Sequence, residues 1–260
     1  MITKEELDVL VSKYETKDFI KDDPIQFPHK YSDKKDIELV GFISSLFAYG
    51  NRKIFIKKLD ELFGYMQNEP VNFIKNGDFS VILTNDFNYR FSKSKDIVEL
   101  LRILSKLYNS SKGLSELFYK GYECNDIISM MQTVVDYFYD NVENPVGQGF
   151  YHLLPNPQKQ CAMKRMNMFL RWMVRKSDVD LGLWNFIPKC NLLMPLDVHV
   201  ARLSREMQLI QNNKSNNIKA VKELTSNLRF FDKNDPVKYD FAIFGKGIEE
   251  SFSKTNLVKV

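Results

Sequence analysis

The sequence predicts an all-α protein. Apolar residues recur at spacings of three and four through most of the 260 residues, which is the period of a helix with one buried face. The chain has only eleven glycines and nine prolines, the residues most typical of turns and loops, which indicates few loops. Strict alternation of apolar and polar residues is scarce, and the best strand candidate, Phe79–Leu83, is short. Together these observations favour roughly ten helices and little or no sheet.

The first half of the chain contains five segments with helical spacing. They are Asp36–Tyr49, Lys53–Met66, Lys95–Tyr108, Leu114–Tyr119 and Asn125–Tyr139. Short polar side chains accept hydrogen bonds from the first amides of a helix. Ser94 or Asp96 is therefore the expected cap of the third segment, and Asn125 or Asp126 that of the fifth.

Four more helical segments follow in the second half. They are Cys161–Arg175, Val198–Met207, Ile218–Asn227 and Pro236–Phe252. Pro236 suits a first helical turn, with Asp235 ahead of it as a cap. The stretch 141–157 is the most loop-like and is predicted to be a hinge. We expect residues 1–260 to form a single helical protein, with a ligand cleft between about 36–140 and the remainder.

Composition excludes several classes of protein. The net charge of +4 permits a polyanionic partner without requiring one. Cys124, Cys161 and Cys190 lie far apart with no CxxC, which argues against zinc, an iron–sulfur cluster or a disulfide framework. No signal peptide or membrane-spanning apolar run is present. The expectation is a cytoplasmic protein, away from membranes, that needs no metal or cofactor.

The segment 159–176 concentrates positive charge. It holds six basic residues and no acidic one: Lys159, Lys164, Arg165, Arg171, Arg175 and Lys176. On a helix, Lys164, Arg171 and Arg175 fall within roughly 20° of one line, beside Trp172. One interpretation is a substrate-facing basic surface next to an aromatic platform. The alternative is a solvated charged face with Trp172 in the core.

A single aspartate opens the helix that follows. Asp197 comes after Pro195 and before the apolar Val198 and Val200, where an N-cap is expected. Capping alone is worth about 1 kcal/mol. A carboxylate at this position is also kept ionised by the helix dipole and can stabilise a developing oxocarbenium ion. Capping and catalysis are compatible, so both interpretations stand.

A lysine on one helix, followed by Pro-Leu-Asp-Val-His-Val-Ala-Arg opening the next, resembles the helix-hairpin-helix GPD superfamily of DNA glycosylases. The whole chain is similar to an uncharacterised bacterial family related to that superfamily. The resemblance implies a two-layer helical glycosylase-like fold with a degenerate helix-hairpin-helix. The 33 residues that separate Lys164 from Asp197 are closest in layout to the archaeal 8-oxoguanine glycosylase branch.

The resemblance also implies roles for individual residues. Lys164 would be the Schiff-base nucleophile and Asp197 the assisting carboxylate, with Lys159 competing for the first role. Asn51 would enter the gap that a flipped base leaves. The expected DNA contacts are Asn51, Arg52, Lys159, Arg165, Arg171, Arg175 and His199. The expected pocket residues are Trp172 and Trp184, and Tyr239 and Asp240 are candidates to reach the pocket.

The resemblance predicts a monomeric DNA-repair glycosylase on double-stranded DNA, possessing lyase activity and acting on 8-oxoguanine or a related lesion. The sequence departs from the superfamily pattern at the hairpin, where Leu154-Pro155-Asn156-Pro157 replaces the usual glycine-containing turn. That departure favours an alternative, an inactive DNA- or RNA-binding module on the same fold. A third interpretation is a structural protein with an ion-pair network joining Lys164, the arginines, Asp178, Asp180 and Asp197.

Overall fold

The chain is all-α, as its sequence predicts. The computed structural model describes residues 2–110, 113–122, 125–211 and 215–257. Within these residues no strand forms, and β-pairing is limited to isolated bridges such as Cys161 with Asn217. The α-helices are α1 (Lys4–Tyr14), α2 (Lys17–Ile20), α3 (Lys34–Phe47), α4 (Arg52–Tyr65), α5 (Pro70–Asn76), α6 (Ser80–Thr84), α7 (Ser94–Ser110), α8 (Leu114–Gly121), α9 (Ile127–Asp140), α10 (Gln148–Leu153), α11 (Lys164–Val174), α12 (Val198–Glu206), α13 (Ile218–Phe231) and α14 (Asp240–Leu257).

Short 3₁₀ helices connect several of them. These are Pro24–Gln26, Pro28–Lys30, Pro157–Lys159, Lys189–Asn191 and Pro236–Tyr239. The chain divides into two compact units, one made of residues 22–159 and the other of residues 1–21 with 160–260.

The unit of residues 22–159 is built around α3. Asp33 caps this helix by accepting hydrogen bonds from the amides of Lys35 and Asp36. Every residue from 37 to 47 is buried. The ring of Phe42 stacks on Phe138 of α9 at 5.6 Å between centroids and meets Phe118 of α8 edge-on. The aromatic content of the sequence is thus used to fill this core.

The other unit is built around α11 and α14. Phe169, Leu170, Trp172 and Met173 of α11 are fully buried. α14 packs against α1 and α12, and the approach to α12 is close because a Cβ on Gly247 would lie 3.0 Å from Leu203. These contacts place the starts of α11 and α12 in the same unit.

Two local predictions are wrong. Phe79–Leu83 is not a strand: Ser80–Thr84 is helical, its first amide donates to the carboxylate of Asp78, and Ile82 faces the core. A five-residue apolar segment suits either structure, and no partner strand exists among the described residues. The helix predicted from Cys161 begins instead at Lys164, because Met163 has a left-handed backbone with φ of 49°.

Two cap predictions fail for a related reason. Asp235 precedes Pro236 but makes no capping hydrogen bond, because its carboxylate binds Arg175. Asp96 lies inside α7, where it accepts hydrogen bonds from the amides of Lys93 and Gly147. Asp126, in contrast, caps α9 as predicted.

Candidate functional site

Lys164 and Asp197 are in contact. Lys164 is the first residue of α11 and Asp197 is the N-cap of α12. Nζ of Lys164 lies 3.4 Å from Oδ2 of Asp197. The lysine side chain is 31% exposed and that of the aspartate 12%, so the pair lies at the surface of its unit and is accessible to solvent.

The two carboxylate oxygens of Asp197 have different partners. Oδ1 accepts hydrogen bonds from the amides of His199 and Val200, at 2.9 and 2.8 Å. This is the capping geometry that the sequence predicts, and it fixes the carboxylate in position. Oδ2 is left to face Lys164. A rigid carboxylate beside an accessible amine is an arrangement that can accept a proton or stabilise a nearby positive charge.

Arg171 and Arg175 lie further along α11 and are buried. Their exposed fractions are 3% and 4%. Asp180 bridges them, with Nε of Arg171 3.2 Å from its Oδ1 and Nη1 of Arg175 against its Oδ2. Arg171 also contacts Asp240, and its guanidinium lies 4.1 Å from the ring of Phe241.

Arg175 completes this buried network with two more carboxylates. It lies 3.0 Å from Asp235 and 2.8 Å from Glu15. The expectation that Arg171 and Arg175 form a phosphate-facing stripe is therefore corrected: buried guanidinium groups need partners, and here carboxylates from four separate segments supply them. The ion-pair network expected from the sequence includes Asp180, whereas Asp178 is exposed.

Asp240 connects this network to the Lys164–Asp197 pair electrostatically. Burial raises the pKa of Asp240 to about 6, from an ordinary value of 3.8. The charge of Arg171 opposes that rise, the negative charge of Asp197 adds to it, and Lys164 again opposes it. Asp240 therefore titrates near neutrality within the electric field of the pair. Tyr239, the other residue that the sequence offers as a candidate to reach a pocket, is fully buried.

The tryptophans expected to line a pocket are core residues. Trp172 is fully buried and Trp184 is 5% exposed, edge-on to Phe169 with 5.3 Å between ring centroids. The pocket assignment is thus corrected, because neither indole presents a face to solvent.

The remaining candidate residues are dispersed. His199 and Arg165 are half-buried, in the same unit as Lys164. Asn51, Arg52 and Lys159 belong to the other unit. The side chain of Asn51 caps α4 by accepting from the amide of Ile54 at 3.3 Å, and Lys159 is exposed.

Residues 154–159, where the resemblance leads us to expect a hairpin, use their backbone amides in hydrogen bonds within the segment. Pro155 and Pro157 have none to donate. The amide of Gln158 donates to the side chain of Asn156 at 2.8 Å, and that of Lys159 to the carbonyl of the same asparagine at 3.1 Å. These amides are thus not arranged to hold a phosphate.

The described residues contain no group of three or more His, Cys, Asp or Glu side chains that could hold a metal ion. Cys161 and Cys190 are not joined in a disulfide bond, and Cys124 lies outside the described residues. None of the helices in the described ranges has the length and apolar character needed to cross a membrane.

Comparison with known proteins gives one result. No curated protein and no solved structure matches the chain. Residues 23–249, which include Lys164, Asp197 and Asp240, match a family of proteins of unknown function. The chain therefore belongs to the family described as "Protein of unknown function (DUF2400)".

Proposed function

We propose that the protein is a DNA-repair glycosylase with lyase activity, in which Lys164 is the nucleophile and Asp197 the assisting carboxylate. The observation that supports this most directly is the 3.4 Å contact between Nζ of Lys164 and Oδ2 of Asp197. The capping amides hold the carboxylate in place, with Oδ2 directed at Lys164, which suits a group that must stabilise positive charge at a fixed position.

In the proposed reaction Lys164 gives its ammonium proton to solvent, and Asp197 stays a negatively charged carboxylate beside it. The free amine attacks C1′ of the damaged nucleotide as the glycosidic bond breaks, and the base leaves with the bonding electrons and is protonated by solvent. Asp197 stabilises positive charge at the sugar as the bond lengthens. The bonded nitrogen then loses a proton to solvent, the C1′–O4′ bond breaks, and the ring oxygen takes a proton, which gives an imine between Lys164 and C1′. Solvent removes a proton from C2′, and the electrons of that C–H bond expel the 3′ phosphate and so cleave the strand.

The proposed enzyme acts as a cytoplasmic monomer on double-stranded DNA, and 8-oxoguanine is the first lesion to test. This choice of lesion follows from the separation of Lys164 and Asp197 along the chain. The widely spaced cysteines suit a reducing compartment. His199 and Arg165, half-buried in the same unit, are the nearest candidates for contacts with the DNA strand.

Borohydride reduction tests the proposal because it traps the imine as a stable adduct. Duplexes that carry an abasic site or single lesions, 8-oxoguanine first, are incubated with the protein and reduced. We expect an adduct with the wild-type chain, none with Lys164→Gln, and wild-type yield with Lys176→Gln, which alters an exposed lysine next to the C-terminal end of the same helix. If trapping survives in Lys164→Gln but disappears in Lys159→Gln, the nucleophile is Lys159 and not Lys164.

A second function, a nucleic-acid-binding module without catalysis, is favoured by one observation. The amides of Gln158 and Lys159 are used within segment 154–159, so the phosphate grip typical of the hairpin is missing there. Strong, salt-sensitive DNA binding without base release or trapping on any of the duplexes would support the binding module and refute the proposed enzymatic function.

A further inference from the structure

An exposed cluster of aromatic rings and an arginine lies in the unit of residues 22–159. We call Tyr49, Arg90, Phe91 and His152 the aromatic–arginine patch. The ring of His152 lies 4.5 Å from that of Tyr49 and 5.0 Å from that of Phe91. The guanidinium carbon of Arg90 lies 5.7 and 5.5 Å from the same two rings. Phe91 is 56% exposed, so its ring is available to a partner.

The patch is held by a tight turn. Tyr89 and Ser92 exchange two backbone hydrogen bonds of 2.9 Å, with Arg90 and Phe91 at the tip between them. Arg90 has φ of 52°, a left-handed conformation that costs a non-glycine residue about 1–2 kcal/mol. Residues kept in such a conformation are found where the surrounding structure positions a functional side chain.

Further contacts fix this turn to the rest of the unit. The hydroxyl of Tyr49 donates to the carbonyl of Tyr89 at 3.3 Å, and the hydroxyl of Tyr89 donates to the carbonyl of Tyr49. Ser92 Oγ donates to the carbonyl of Gly149 at 3.1 Å, next to the helix turn that bears His152. Hydrogen bonds therefore join the three segments that contribute to the patch, and Phe91 is exposed at the tip of the turn that they hold in place.

The chain segments that carry Tyr49 and Phe91 are rich in basic residues. Segments 49–58 and 88–95 contain no Asp or Glu, although Asp86 and Asp96 flank the second, and they carry Arg52, Lys53, Lys57, Lys58, Arg90, Lys93 and Lys95. Lys58 is paired with Glu61. An exposed aromatic ring on segments rich in cations matches the two needs of an unpaired nucleic-acid strand, stacking for the bases and positive charge for the phosphates.

We propose that the aromatic–arginine patch binds unpaired bases of a DNA strand, with one base stacked on Phe91 and the flanking phosphates held by neighbouring basic residues. Arg90 extends the stacking surface because a guanidinium plane over a ring pairs favourably with a π-system. This proposal goes beyond the chemistry of Lys164 and does not depend on it, since binding is measured without base removal.

The test uses the full chain and a fluorescein-labelled (dT)20 strand, with binding followed by fluorescence anisotropy at low salt. Phe91→Leu keeps an apolar side chain but removes the ring, and we expect about tenfold weaker binding, in the range found for loss of one stacked base. Phe91→Trp should bind at least as tightly as the wild-type chain. Phe230→Leu is the matched control, because Phe230 is also exposed, at 85%, and lies in the other unit.

A second readout reports stacking directly. A strand with 2-aminopurine at its centre should show fluorescence quenching on binding to the wild-type chain and to Phe230→Leu, and less quenching with Phe91→Leu. Equal affinity and quenching for Phe91→Leu and Phe230→Leu would overturn the proposal, and so would a chain that binds (rU)20 as tightly as (dT)20. Binding of (dT)20 is measured without base release or trapping, so a failure of the proposed enzymatic activity leaves this result intact.

Discussion

Asp197 caps its own helix with one carboxylate oxygen and contacts Lys164 with the other. Oδ1 accepts the amides of His199 and Val200, and Oδ2 lies 3.4 Å from Nζ of Lys164. The structural role depends on an oxygen acceptor, whereas the proposed chemical role depends on a negative charge. The two roles can therefore be separated by substitution.

Asp197→Asn should preserve stability and abolish the proposed chemistry. Asparagine caps helices about as well as aspartate, so we expect the free energy of unfolding to change by roughly 0.5 kcal/mol or less. Asp197→Ala removes the cap and should cost about 1 kcal/mol. Urea denaturation measures both, and borohydride trapping should fail in both. If Asn costs as much as Ala, the ion pair rather than the cap stabilises this position.

The buried network predicts a large loss of stability on removing its central carboxylate. Asp180 contacts both Arg171 and Arg175, and Asp180→Asn leaves each guanidinium with one fewer counter-charge. We expect a cost of about 3 kcal/mol, at the lower end for a broken buried pair because other carboxylates remain. The exposed Asp178 provides the control, and Asp178→Asn should change stability by about 0.5 kcal/mol or less. Similar values for the two variants would refute this account of the network.

Glu99 should make stability depend on acidic pH. Its burial acts to raise its pKa, but hydrogen bonds from Arg102, Asn144 and the amide of Glu143 outweigh burial and lower the pKa to about 2, from an ordinary 4.5. A folded-state pKa below the unfolded one contributes stability above about 4.5 that is lost as pH falls towards 2.

Glu99→Gln isolates this contribution, since all other titrating groups are shared with the wild-type chain. Above pH 5 the variant should be less stable by about 1–3 kcal/mol, the range for hydrogen bonds to a charged group. Chemical denaturation at several pH values should show the two chains converging as pH approaches the folded-state pKa. A stability difference that stays constant with pH would show that the Glu99 charge is not responsible.

The helices could be predicted from sequence because their causes are local. The apolar spacing of α3 and the capping aspartate of α9 lie within the segments that they organise. Asp235 shows where local reasoning fails. It occupies a cap position ahead of Pro236, but Arg175, 60 residues away, binds its carboxylate instead. A long-range ion pair of this kind leaves no trace in the spacing of nearby residues.

The candidate site divides in the same way. Lys164 begins one helix and Asp197 caps another helix of the same unit, and their side chains are in contact. The sequence suggests both of these positions. For Arg171 the sequence leaves two interpretations open, a phosphate-facing surface and an ion-pair network, because periodicity places a residue on a helix face without saying what covers that face. Its partners Asp180 and Asp240 come from separate segments. The aromatic–arginine patch could not be predicted either, because the rings of Tyr49, Phe91 and His152 come from three separate segments.

Two glycines should respond to alanine in opposite directions. Gly64 lies inside α4, exposed, with nothing near the position of a new Cβ, so Gly64→Ala should raise the free energy of unfolding by about 0.5–1 kcal/mol. Gly50 has φ of +82°, and a Cβ there would collide with the guanidinium of Arg90. Gly50→Ala should therefore lower stability by about 1 kcal/mol or more and displace Arg90 from Tyr49 and Phe91. Thermal and urea unfolding measure the stability of both variants. Binding of (dT)20 by Gly50→Ala reports whether Arg90 has been displaced. A Gly50→Ala chain as stable as Gly64→Ala would show that the turn does not need its left-handed glycine.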